Sequence, residues 1–135
     1  MKVIIDYIQL SSDPKETIQN MKKQMDEKAL EGLELKSHVP DGMGNLIMTY
    51  QKSKLGNIYK YHTECVTVDA DSKITLAKLN EVNERLERIG YTQKSMFLDG
   101  YGHFIVTYLI NTKKNGGNKI QRSRNQSNRS IRPQR

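Results

Sequence analysis

Three histidines, one cysteine and two aspartates are the side chains of this 135-residue chain best suited to chemistry near neutral pH. His38, His62 and His103 could serve as metal ligands or general bases, and Cys65, in "HTECVTV" beside Glu64 and near His62, as a nucleophile. A helical metal pair needs two histidines four residues apart, and these three lie far from one another in sequence. A reactive thiol needs a base and an electropositive pocket, often at a helix N-terminus, and the surroundings of Cys65 supply neither. The histidines therefore read as solvated or singly hydrogen-bonded, and Cys65 as a half-buried strand residue. Asp41 and Asp99 open "DGMG" and "DGYG". Such a loop can cradle phosphate when a helix follows it, but no helix pattern follows either one and neither carries the Lys-Ser/Thr of a P-loop. No catalytic residue, cofactor or metal is expected, and the chain is read as a non-enzyme.

Charge is the other chemical signal. Residues 1 to 112 hold 14 Lys/Arg against 15 Asp/Glu, a net charge of −1, whereas residues 113 to 135 hold eight basic residues and no acid. These eight are Lys113, Lys114, Lys119, Arg122, Arg124, Arg129, Arg132 and Arg135. The same segment is rich in Gly, Asn, Ser and Gln and nearly devoid of apolar residues, so it cannot offset the entropy of ordering and is expected to be a disordered arm. Guanidinium forks spaced among amides and hydroxyls suit phosphate oxygens.

The elements that would carry these residues are written twice. "DGMGNLIMTY" at 41–50 returns as "DGYGHFIVTY" at 99–108, and the offset of 58 extends without a gap to Gly32/Gly90, Lys36/Lys94, Ser37/Ser95, Asp13/Asp71 and Thr17/Thr75. Each copy reads strand, helix, strand, strand. Residues 2–10 alternate and are rich in β-branched and aromatic types, predicting a strand. Asp13, Pro14 and Glu16 form a helix start with a capping box, and Ile18, Met21, Met25 and Ala29 form its buried stripe. Asp71 starts the second helix, with Leu76, Leu79, Val82, Leu86 and Ile89 as stripe. Gly32 and Gly90 end the two helices. Asp41, Gly42 and Gly44, and Asp99, Gly100 and Gly102, form hairpin turns, the second glycine of each relaxing a bulge into the return strand. The Met21, Met25, Met43, Met48 and Met96 side chains are core fillers by default.

The expected fold is α+β: tandem duplicated strand-helix-strand-strand (βαββ) units, about 1–53 and 59–112, forming a pseudo-dimer over residues 1–112 and followed by the basic arm. A single unit of this size is marginal alone, so joining two, with their sheets paired edge to edge or packed face to face, gains stability in the manner of an intramolecular homodimer. The element order resembles that of dodecins and of the duplicated small-ligand-binding regulators related to a gyrase inhibitor. Tyr7, Tyr59 and Tyr61 share the parity opposite Ile8, Leu10, Val66 and Val68. They either decorate an outer sheet surface, as anchors for bases or a protein partner, or form a second packing layer between the sheets.

The functional expectation is a small nucleic-acid- or nucleoprotein-binding module, DNA or RNA, acting through the arm. Its rival is a phage or mobile-element inhibitor or adaptor that binds a nucleic-acid-processing protein through the sheet. A small-ligand-binding pseudo-dimer with a pocket between repeats comes third. The single cysteine and the lack of a membrane-length apolar run point to a cytoplasmic protein without a membrane partner. A homo-oligomer stays open.

Overall fold

The structure, a computed structural model, describes residues 3–54 and 58–112. The basic arm, residues 113–135, lies outside them. The order of elements is β1 (Val3–Gln9), α1 (Pro14–Leu30), β2 (Leu33–Pro40), β3 (Asn45–Lys52), β4 (Tyr59–Thr67), α2 (Ser72–Glu87), β5 (Thr92–Leu98) and β6 (His103–Asn111). Both helices begin in the same way. The Asp13 side chain accepts from the Lys15 N–H at 3.0 Å, and Asp71 accepts from the Lys73 N–H at 2.9 Å. One turn on, a buried threonine ties the incoming chain to the helix: Thr17 Oγ1 accepts from the Ser11 N–H at 3.0 Å, and Thr75 Oγ1 accepts from the Asp69 N–H at 2.8 Å. Glu16 does not close the expected capping box. Its carboxylate accepts from the Ser11 hydroxyl at 2.6 Å, and the Asp13 N–H donates to Ser11 Oγ at 3.0 Å, so Ser11 performs the task given to the glutamate.

Two three-stranded antiparallel sheets follow, ordered β1-β3-β2 and β4-β6-β5. The hairpin turns fall at residues 41–44 and 99–102, with φ of 79° and 91° at Gly42 and Gly44 and 83° and 92° at Gly100 and Gly102. Each turn aspartate folds back on its own loop. Asp41 Oδ1 accepts from the Met43 and Asn45 N–H groups at 2.6 and 3.1 Å, and Asp99 Oδ1 from Tyr101 and His103 at 2.7 and 3.1 Å. The register shift lies earlier than expected, between Leu35 and Ser37 in β2 and between Gln93 and Ser95 in β5. With the loop amides already taken by the aspartate, the extra residue is absorbed in the outgoing edge strand, at Lys36 and Lys94.

Burial shows how the two sheets are layered. Along β3, Leu46, Met48 and Tyr50 are buried and the residues between them are half-exposed, as in a sheet covered on one face. Along β6, the four consecutive residues Ile105, Val106, Thr107 and Tyr108 are all buried, as in a sheet covered on both. The larger core cluster unites Ile8, Leu10, Met21, Met25, Leu35, Leu46, Met48 and Tyr50 of the first half with Phe97 and Ile105 of the second, and Tyr61 and Cys65 pack against it. Helix α1 thus lies between the first sheet and the back face of the second. Helix α2 covers the second sheet's other face through Leu86, which meets Val106 and Tyr108. The halves meet through unlike faces, the helix-bearing side of one and the back of the other. A two-fold pairing of equivalent faces, expected of an intramolecular homodimer, is therefore not the contact observed.

The same layering revises both helix stripes. Met21 and Met25 are buried, but Ala29 is exposed; of the second stripe only Leu86 is buried, Leu79 and Val82 are half-buried, and Leu76 and, just past the end of α2, Ile89 are exposed. A helix held between two sheets buries more of its circumference than one lying on a single sheet.

The helix-terminal glycines provide a measurement. Both have positive φ, 78° at Gly32 and 98° at Gly90, yet a methyl group at Gly32 would meet open space while one at Gly90 would lie 2.9 Å from Ile110 Cδ1. Gly32→Ala should cost about 1 kcal/mol from backbone strain alone, and Gly90→Ala more than that, as read from urea midpoints at constant slope. Equal losses would contradict the tighter packing behind α2.

Candidate functional site

The seam between the two sheets is the most chemically furnished place among the described residues. His38 of β2 lies at the seam with Nε2 2.5 Å from Ser95 Oγ of β5, and its ring stands edge-on to Phe97 at a centroid distance of 4.8 Å. Nearby, the Leu35 N–H donates to Tyr61 Oη at 2.9 Å, a bond between the edge of one sheet and the back of the other. Burial drives His38 down to about 4, and Lys94 adds to the lowering. A histidine touching a serine has the outline of a nucleophile and its base. Here His38 Nδ1 is buried without a hydrogen-bond partner, where an acid would have to orient the ring, and only 6% of the residue reaches solvent. The pair joins two sheets and offers a substrate no approach.

The two duplicated turns lie side by side at one end of the seam. Gly42, Gly44, Gly100 and Tyr101, with Leu10 and Pro40, line a cleft of about 280 Å³. Its one carboxylate, Asp99, is consumed by the two turn amides and by His103 Nδ1 at 2.9 Å. The walls are thus glycine backbone and apolar side chains, with little left over to fix the orientation of a polar ligand.

Other titratable groups have structural partners. Burial alone would raise Glu64, but its bonds to Arg85 at 2.7 Å and His62 at 2.8 Å outweigh it and hold the carboxyl below its usual range. Cys65 is raised by burial and then by Asp99, which keeps the thiol protonated and unreactive. Among the described residues, no group of three or more His, Cys, Asp or Glu side chains is placed to hold a metal ion.

The three tyrosines part company. Tyr7 is exposed on the back of the first sheet. Tyr61 belongs to the packing between the sheets, and burial pushes its hydroxyl up to about 12. Tyr59 is half-buried beside Tyr61, in a small recess with Ala29 and Leu33. The outer-surface reading of Tyr61 is thus replaced by the packing-layer reading.

Tyr7 is not alone on its face. Val3, Ile5, Tyr7 and Val39, 52%, 67%, 61% and 58% exposed, share the back of the first sheet with Ile47 and Thr49. A contiguous exposed apolar strip is uncommon on a monomer's surface. Tyr7 alone of this strip is marked by parity, although "VIIDYIQ" also carries apolar residues at its other positions of the same face, Val3 and Ile5. The arm residues Lys113 to Arg135 lie outside the described residues. No helix among the described residues is long and apolar enough to cross a membrane. Comparison of the chain with protein-family models, with curated proteins and with solved structures gives no match.

His38 makes the seam sensitive to acid. Its folded-state value of about 4 lies below its ordinary 6.5, so its contribution to stability is complete above pH 6.5 and is lost as pH falls toward 4. The gap corresponds to roughly 3 kcal/mol at pH 4. His38→Met, which installs the residue found at the equivalent position 96, should flatten stability against pH across this window relative to the parent, measured by denaturant unfolding at pH 7 and pH 4.5.

Proposed function

We propose that this chain is a tandem duplication of a βαββ unit, two copies forming one pseudo-dimeric body, and that it acts as a non-enzymatic nucleic-acid- or nucleoprotein-binding module through its C-terminal arm. The duplication is supported by several features that recur at the 58-residue offset: the sheet orders, the shifts at Lys36 and Lys94, the Asp13 and Asp71 caps, and the Thr17 and Thr75 anchors. The observation that carries the functional reading is the segregation of charge. Eight Lys/Arg and no acid occupy residues 113–135, behind a body of net charge −1. A nearly neutral body has no field of its own to draw a polyanion, so phosphate contacts fall to the arm. The setting proposed is cytoplasmic, with DNA or RNA as the polyanion.

A second reading has its own observation. The exposed strip of Val3, Ile5, Tyr7 and Val39 suits a protein surface, as an inhibitor or adaptor of a nucleic-acid-processing protein would need.

The salt dependence of binding distinguishes the two. Binding of the full chain to a plain DNA duplex or to single-stranded RNA should weaken steeply with salt. Replacing Arg122, Arg124, Arg129 and Arg132 together by Gln should lower the log-log slope on duplex DNA by roughly 3 to 4, at about 0.9 per phosphate contact, with the melting temperature unchanged. No binding by the full chain at low salt would reject the nucleic-acid reading and favour the protein-docking one.

A further inference from the structure

We infer that the body of this protein binds a second copy of itself head to tail, the back of the first sheet of one molecule docking against α2 and β5 of the next. Both halves of such a contact are exposed on the molecule, and the molecule already contains a version of it. Within the chain, the back of the second sheet rests on α1 and β2, with Ile105 and Thr107 fully buried and Ser95 against His38. The back of the first sheet carries the identical residues Ile47, Thr49 and Ser37 at the equivalent positions, and among the described residues no element covers it. Around them Val3, Ile5 and Val39 are more than half exposed.

The complementary end shows the same incompleteness. Ile18 of α1 packs against the shared core, and His38 is 6% exposed with Ser95 and Phe97 of the second sheet against it. Their equivalents at the far end, Leu76 of α2 and Met96 of β5, are 59% and 42% exposed. A second copy placed by repeating the internal contact would set its Ser37 and Val39 over Met96, as Ser95 and Phe97 lie over His38. It would also bring the exposed Leu76 to the place that Ile18 holds against the shared core.

The two surfaces are unlike, so the contact is heterologous. Each addition leaves one sheet back and one α2 groove free at the ends, and the assembly grows or closes into a ring. The inference rests on the equivalence of the two halves and not on what the arm binds.

Opposite blocks on the two ends test it. In high salt, which strips nucleic acid from the arm, the full chain should sediment with a mass that rises with concentration past twice the monomer's. Ile5→Lys blocks the sheet back and Met96→Lys blocks the groove, with Leu76→Lys as a second groove variant. Each variant alone should be monomeric with a melting temperature close to the parent's. An equimolar mixture of Ile5→Lys and either groove variant should form a dimer and nothing larger, because one intact end of each kind remains. A parent monomeric at every concentration would overturn the inference. So would groove variants that still dimerise alone, since that result means two sheet backs pair with each other. Neither result would alter the arm's salt slope on nucleic acid, so the two readings fail separately.

Discussion

Burial of the second sheet's back face against α1 is the contact on which the rest of this fold depends. It places Ile105 and Phe97 in the same cluster as Met21, Met25 and Leu35, and so makes one core out of halves that would each be thin. Fully burying a large aliphatic or aromatic side chain is worth roughly 1.5 to 3 kcal/mol, and the contact buries several. The few polar groups it encloses are handled unevenly. Tyr61 accepts the Leu35 amide at 2.9 Å, while His38 keeps one ring nitrogen without a partner and remains neutral.

That contact also explains why near-identical phrases have unlike surroundings. In β3 the apolar side chains alternate between a packed and an open face, and in the matching stretch of β6 every residue from Ile105 to Tyr108 is buried. Sequence carries element type well here, because each cue is local. Asp-Gly-x-Gly marks where the chain reverses, a capping aspartate before an apolar stripe marks a helix entry, and alternation marks strands. Coverage is a different kind of fact. Ile47 and Ile105 are the same residue in the same local pattern, and only the position of α1 decides that one is half-exposed and the other fully buried.

The same limit applies to the candidate surfaces. The arm was legible as charge, since eight like-signed residues need no fold to be recognised. The apolar sheet back was not, because Val3, Ile5 and Val39 resemble core residues until a structure shows no layer over them. Tyr61 shows the limit from the other side, since the sequence left both an outer surface and a packing layer open to it. Parity set it opposite the helix-covered face of its own sheet, and parity alone does not reveal that a second helix lies on that side.

The sandwiched position of α1 has a consequence for the order in which the molecule is made. The first sheet closes with pairings that run from Val3–Gln51 to Gln9–Asn45, all between residues that precede β4, β5 and β6 in the chain. A chain emerging N-terminus first from the ribosome presents the finished half, with α1 in place, as a template on which the later strands condense. Biosynthesis thereby favours distinct roles for the two halves of like element order, the earlier one as platform and the later one as cover. It also guards against the error to which repeated strands are most exposed, the pairing of β3 with β4 in place of β1, because β1 already occupies that edge when β4 appears.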